Sequence, residues 1–238
     1  MRTPVALSWS GGKDSSLALA ALQADPRYEV VALLTSITSG YDRVSIHGVR
    51  RALVEAQAAA IGLPLFEVEL QPQSSNEAYE AAFLSALARL SVAHPEVRHL
   101  AFGDLYLADV RAYRERLLEA TAFSPVFPLW GRDTKMLARE FIDAGFRATL
   151  VCVDTTQLSA EFAGRAFDDS LLSSLPASVD PCGEGGEFHT FVSEGPIFRS
   201  PIAIVRGETV LREERFAYCD LIPASRLMSQ GSESELPL

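Results

Sequence analysis

The stretch "LSWSGGKDSSLALAAL", Leu7 to Leu22, decides the fold. An apolar run beginning at Val5 ends in two adjacent glycines, Gly11 and Gly12. A lysine follows, then a helical pattern of Leu17, Leu19, Ala20, Ala21 and Leu22 that stops before Asp25-Pro26. Strand, glycine turn and helix in direct succession make a phosphate-holding arrangement. Glycine lets backbone N–H groups approach an anion, and a helix N-terminus adds about half a positive charge. Ser10 and Ser15 bring hydroxyls to the same place, and Lys13 brings a cation. Asp14 would repel phosphate unless a cation lay between them, so it is a candidate ligand for Mg2+; an N-terminal helix cap is its plain alternative.

Two familiar phosphate loops do not fit. A Walker A loop needs glycine where Leu7 stands and a hydroxyl where Asp14 follows Lys13. The dinucleotide fingerprint needs separated glycines and a third one downstream. On the glycines alone, a turn without chemistry stays open.

Outward from the loop, strands and helices alternate. "YEVVALLTS" (Tyr28 to Ser36) and "LPLFEVEL" (Leu63 to Leu70) read as strands, and "VRRALVEAQAAAIG" between them as a helix ending at Gly62. A helix is predicted from Ser75 to Val92, and a strand from Val97 to Gly103 with Asp104 at its carboxyl end. Another helix, "VRAYRERLLEAT", precedes the proline-bounded extended segment Ser124 to Trp130. The alternation predicts an α/β fold with a doubly wound, mostly parallel, Rossmann-like sheet. After Trp130 the rhythm changes. A helix (Thr134 to Ala144), the strand "FRATLVCVD", a glycine-rich run and short strands from Ile202 to Tyr218 suggest a smaller α+β unit. The expected division is 1–128 for nucleotide binding and 129–223 for the acceptor. A polar tail, 224–238, is expected to fray.

Composition narrows the partners. With 21 basic and 31 acidic side chains the net charge is −10, which disfavours nucleic acid. Cys152, Cys182 and Cys219 lie far apart without a C-x-x-C pair, so neither a disulfide framework nor a zinc ribbon is expected. No window has the roughly 18 apolar residues of a membrane span, and the start lacks a signal-peptide core. A cytoplasmic protein without membrane partners is the expectation.

Longer motifs carry a resemblance. Ser10, Gly11, Gly12, Lys13, Asp14 and Ser15 match S-G-G-x-D-S, the loop of the PP-loop ATP pyrophosphatases within the adenine nucleotide alpha hydrolase superfamily. "AFGDLYLADVRAYRERLL" (Ala101 to Leu118), "FPLWGRDTKMLAREFIDAGFRATLVCVD" (Phe127 to Asp154) and "CGEGGEFHTFVSEGPIF" (Cys182 to Phe198) follow in order. Together they resemble the diphthine–ammonia ligase family. The resemblance implies an AMP-forming amide ligase that uses ATP and Mg2+. The loop would hold the β and γ phosphates, a carboxylate would be adenylated with loss of pyrophosphate, and ammonia would displace AMP. The acceptor would be a modified residue or a small molecule, and a homodimer is compatible with the family.

Residue by residue, the resemblance assigns Thr35 and Ser36, at the end of the second strand, to adenine or ribose. It assigns His47, Arg50 and Gly103 to the nucleotide, and Asp104 to the nucleotide or its Mg2+. Arg111 or Arg114, beside Tyr113, would neutralise phosphate charge. Trp130, Glu184, Glu187 and His189 would line the acceptor site, with Lys13, Asp14, Asp104, Glu184 and Glu187 carrying catalysis. One departure matters: the family usually reads G-E-Y-E-T where this chain has Gly186-Glu187-Phe188-His189-Thr190. The histidine removes an acid beside the acceptor and can supply a base near neutral pH. The F-H-T-F and F-G-D strings look like those of bacterial relatives, some of which are linked to corrinoid salvage, so another carboxylate is an equal candidate for acceptor. A tRNA-thiolating enzyme and a non-catalytic ATP-binding module are the remaining alternatives.

Overall fold

The computed structural model describes residues 1–224; the expected tail, apart from Ala224, lies outside the described residues. The chain runs β1 (Thr3–Ser8), α1 (Lys13–Ala24), β2 (Tyr28–Thr38), β3 (Arg43–Val44), α2 (Arg51–Ile61), β4 (Leu65–Leu70), α3 (Asn76–Ala93), β5 (His99–Ala101), α4 (Ala108–Glu119) and β6 (Ser124–Val126). Then come α5 (Thr134–Asp143), β7 (Arg147–Asp154), α6 (Asp169–Ser174), β8 (Phe188–Glu194), β9 (Ile204–Arg212) and β10 (Phe216–Pro223).

The first sheet is parallel except at one edge. β2 pairs β1 along Tyr28–Leu34 and β4 along Leu33–Thr38, while β1 also pairs β5, and β5 pairs β6. β3 joins antiparallel at Ile37 and Thr38. The chain therefore builds the sheet outward from β1 through β2 to β4, then returns to the other side of β1 for β5 and β6. The seam between β1 and β5 is a topological switch point, where open α/β sheets bind ligands at the carboxyl ends of their strands. The glycine turn lies at that end.

β1 and β2 are apolar in series because both faces are covered: Val5, Ala6, Leu7, Ala32 and Leu33 have no exposed surface. The second sheet is wholly antiparallel, in the order β8-β7-β10-β9. Its apolar face shares a core with the first half. Leu7, Trp9, Leu17 and Leu22 belong to the same cluster as Leu129, Leu137, Phe141, Phe146, Leu150 and Phe188.

Three sequence expectations shift. β2 continues to Thr38 because it pairs β4 as far as Thr38↔Leu70, so Thr35 and Ser36 lie inside the strand and not at its end. The extended segment after Ser124 stops at Val126, and residues 128–131 turn. Part of the glycine-rich run expected as loop becomes β8, which alternates Phe188, Thr190 and Val192 inward and fills the edge beside β7. Among the described residues no helix is long and apolar enough to cross a membrane.

Candidate active site

α1 begins without a side-chain cap. Its N-cap is Gly12, whereas Ser75, Asp133 and Asp168 cap α3, α5 and α6 through their side-chain oxygens. The first amides of α1 are accordingly open. Lys13 N–H donates to Thr190 Oγ1 at 3.0 Å, and Ser16 N–H closes the first helical bond to the Gly12 carbonyl. The amides of Asp14 and Ser15 meet no acceptor among the described residues. Gly103, at the end of β5, makes room beside them: a Cβ there would stand 3.0 Å from the Asp14 carbonyl and 3.1 Å from Ser15 N. Two free amides at a helix N-terminus, facing a glycine across the switch point, form an anion cradle. Ser10 and Ser15 place their hydroxyls 3.3 Å apart at its edge.

The two glycines of the loop themselves are covered by protein. A Cβ on Gly11, whose φ is +77°, would stand 2.6 Å from Gln57 Oε1; one on Gly12 would stand 2.9 Å from the Thr190 carbonyl. The turn therefore needs glycine so that α2 and β8 can approach it, and the anion-facing amides lie one step further on. Gln57, a buried residue that the sequence reading missed, clamps the turn. Its Nε2 donates to the Gly11 and Val192 carbonyls at 3.0 and 2.6 Å, and its Oε1 accepts from the Trp9 indole at 3.0 Å. The signal was there: Gln57 interrupts the apolar stripe of Leu53, Val54, Ala58 and Ile61.

Lys13 is buried at 1% exposure, with Nζ 2.5 Å from Asp14 Oδ1. Burial alone would lower its pKa, but Asp14, Cys182 and Glu184 outweigh this and raise it, so the lysine stays charged. Around it gather carboxylates from both halves. Burial raises the Asp104 carboxyl, opposed by Arg114 and reinforced by Asp14. Arg114 Nε lies 3.5 Å from Asp104 Oδ2, which makes no hydrogen bond among the described residues. Glu184 reaches in from the C-terminal loop. Its Oε1 accepts from Leu105 N at 2.8 Å and Tyr106 N at 3.3 Å. Burial, with Asp14 and Asp104 adding repulsion, pushes its carboxyl up to about 7. Crowded carboxylates with raised pKa suit a hard divalent cation. Among the described residues no three His, Cys, Asp or Glu side chains stand in a metal-holding arrangement.

The loop bearing Glu184 is shaped by Asp180, also missed in the sequence. Its carboxylate accepts from Cys182 N at 2.8 Å and from Thr134 Oγ1 at 2.7 Å. The signal for it was the aspartate of "DPCG", a turn-forming side chain ahead of glycine. Glu187, expected as an open loop acid, is only 5% exposed. One oxygen accepts from Asp180 N at 2.9 Å, and the other is buried without a partner among the described residues. Thr35 likewise has a buried, unpartnered hydroxyl.

His47 and His189 stack with ring centroids 4.5 Å apart, and His47 Cε1 lies 3.3 Å from the Cβ position of Gly12. Burial, His189 and Lys13 hold His47 well below its ordinary pKa; burial and then Lys13 lower His189 to about 4. Both imidazoles are neutral at pH 7. Arg50 is not among these groups: its guanidinium binds Asp220, Nη2 to Oδ2 at 2.6 Å, because β10 brings that carboxylate to the start of α2. Trp130 stacks with Arg111, whose guanidinium sits 4.8 Å from the Trp130 and Phe127 ring centroids. Tyr113 packs in the cluster between α3 and α4. Burial pushes the Cys182 thiol up to about 12 and the Cys152 thiol to about 11, so neither is a thiolate nucleophile.

Known proteins were compared with this chain. The family described as diphthamide synthase N-terminal domain matches residues 1–123, and diphthamide synthase C-terminal domain matches 133–226. Diphthine–ammonia ligase of Mus musculus is 26% identical over 98% of this chain and 95% of its own; that of Homo sapiens is 27% identical over 87% and 85%. The Schizosaccharomyces pombe protein of the same name is 26% identical over 84% of this chain, which spans only 36% of that longer protein. The U34-tRNA thiolase NcsA from Methanococcus maripaludis, solved with its [4Fe-4S] cluster, aligns at a TM-score of 0.38 and 16% identity. That alignment covers 60% of this chain and 58% of NcsA, and it supports no inference about this chain. Two domain matches, in order and together spanning nearly all of the sequence, place the chain in the diphthamide synthase family.

Proposed function

We propose that this protein is an ATP-dependent amide ligase that forms AMP and pyrophosphate. The observation carrying the reading is the meeting, at the switch point, of the open Asp14 and Ser15 amides with Lys13, Asp104 and Glu184. The amides, Ser10, Ser15 and Lys13 hold the β and γ phosphates. A carboxylate oxygen of the acceptor attacks the α-phosphorus, the bond to the β-phosphate breaks, and pyrophosphate leaves. Ammonia then attacks the acyl carbon and AMP departs with the bridging oxygen. Asp14 and Asp104 are the residues that would hold Mg2+, which offsets triphosphate charge when bound. Glu184, poised near neutral pH, accepts the proton lost by the attacking ammonia. Thr35 offers its unpartnered hydroxyl to the nucleoside.

Diphthine is the acceptor to which the relatives' names point. His189, standing where the resemblance leads one to expect an acid, favours a second reading in which the acceptor is a different carboxylate without a cationic group. The test is incubation with ATP, Mg2+, ammonium and a panel containing diphthine-bearing protein and small carboxylates. Pyrophosphate and AMP released by wild type, and not by Lys13→Ala, support the ligase. Release of ADP and orthophosphate instead overturns it, and buried, protonated Cys152 and Cys182 speak against sulfur transfer.

A further inference from the structure

A cavity of about 510 Å³ opens between the β2–α2 connection and the β9–β10 hairpin, lined among others by Tyr41, Arg43, Ile46, Arg212, Tyr218 and Asp220. Its size is that of a small-molecule site. Four features mark it as built to receive something. Asp220 is already neutralised by two guanidiniums, Arg43 at 3.0 Å and Arg50 at 2.6 Å. Arg212 makes no hydrogen bond or ion pair among the described residues, so three arginines face two carboxylates, Asp220 and Glu213. The rim exposes Tyr41 at 65% and Ile46 at 71%. Ile46 holds φ at +67°, strained for a β-branched residue, with its carbonyl bound by the Tyr218 hydroxyl at 3.2 Å.

The cavity communicates with the phosphate loop through a row of side chains. His189, Cys152 and Tyr218 are register partners across β8, β7 and β10, and so share one face of the sheet. His189 stands by Gly12 through His47, and the next residue, Gly48, packs on Tyr218, whose ring would lie 2.6 Å from a Cβ there. Two strand spacings separate the ends of the row by about 10 Å.

We propose that this cavity holds the far end of the acceptor, an anionic group about 10 Å from the carboxylate that is activated at the loop. The inference rests on the ligase reading above and names its substrate class: an acid bearing a second anionic group at that distance. Arg212 meets the second anion, and Tyr41 and Tyr218 flank the chain that joins the two. Binding of this remote group positions the reacting carboxylate.

Dicarboxylates of graded length test it by ligand-observed NMR and calorimetry in the presence of a non-hydrolysable ATP analogue and Mg2+. Suberate and sebacate should bind about tenfold more tightly than glutarate or the monoacid octanoate, the gain of one charge-assisted contact. Arg212→Gln should erase that preference and leave ATP affinity unchanged; Arg212→Lys should restore part of it. Arg212 is exposed, so the variants keep the fold. Equal binding of all four acids, or no binding, overturns the proposal. So does a loss of ATP affinity in Arg212→Gln, which would give the cavity to the nucleoside. Length-dependent binding without pyrophosphate release would leave the cavity standing and sink the ligase instead.

Discussion

The backbone amide of Lys13 is bound by the hydroxyl of Thr190, 177 residues later in the chain, at 3.0 Å. The phosphate loop is thus fixed by the C-terminal sheet, and its geometry depends on residues that sequence proximity would never connect. Thr190→Val keeps the volume and leaves this buried amide without an acceptor, at a cost of about 1–3 kcal/mol. Urea unfolding should show that loss, and Thr190→Ser should recover most of it. An unchanged midpoint in the valine variant would mean the bond contributes nothing.

Gly103 has room for no side chain. Its backbone is not in the left-handed region, so the constraint is purely steric: a methyl would meet Asp14 and Ser15 backbone atoms at 3.0–3.1 Å. Gly103→Ala should push the start of α1 away from β5 and weaken ATP binding by at least about tenfold, read by calorimetry. Gly145→Ala provides a contrast, since a Cβ there meets nothing within 4 Å, although its φ of +82° makes it costly to stability. Only the first should change nucleotide affinity.

Glu184 titrates at about 7, raised first by burial and then by Asp14 and Asp104. The native protein thus binds more protons than the unfolded chain between the ordinary glutamate value and pH 7. Its contribution to stability is full below that window, falls as pH rises through it, and leaves a buried charge above. Glu184→Gln retains an acceptor for the Leu105 and Tyr106 amides and removes the charge. Its melting temperature should exceed wild type at pH 8 and match it at pH 5, while the pH–rate profile loses its limb near 7. A variant equally shifted at both pH values would refute the titration.

His189 runs the opposite way. Its imidazole is lowered to about 4, chiefly by burial and then by Lys13, so the unfolded chain binds the extra proton between pH 6.5 and 4. Stability from this group is present above 6.5 and is lost as pH falls through that window. His47, on the same stack, adds in the same direction. His189→Gln should flatten the acid side of a stability-versus-pH curve measured by chemical denaturation. A curve of unchanged slope between pH 6.5 and 4 would exclude the imidazole as the source.

What the sequence made legible was local. The strand–glycine–helix succession at Leu7 to Leu22 and the buried run of β2 carry their own periodicity, and the doubly wound sheet follows from their alternation. The placement of Lys13, Asp14, Gly103, Asp104 and Glu184 at one seam follows from motif order and switch-point topology. What stayed hidden was set by distant partners. β8 sits inside a glycine-rich run, and its strand character comes from β7 alongside it. Arg50 reads as a phosphate ligand until β10 delivers Asp220 to it. Glu187 reads as an exposed acid because nothing local shows that Asp180 folds over it.

The core that joins Leu17 and Leu22 to Leu129, Phe141 and Phe188 runs without a break between the two sheets. Severing the chain near residue 128 strips the first helix of half its apolar neighbours. Neither fragment is then an autonomous module to be swapped, fused or expressed alone, and the enzyme must inherit both as one unit.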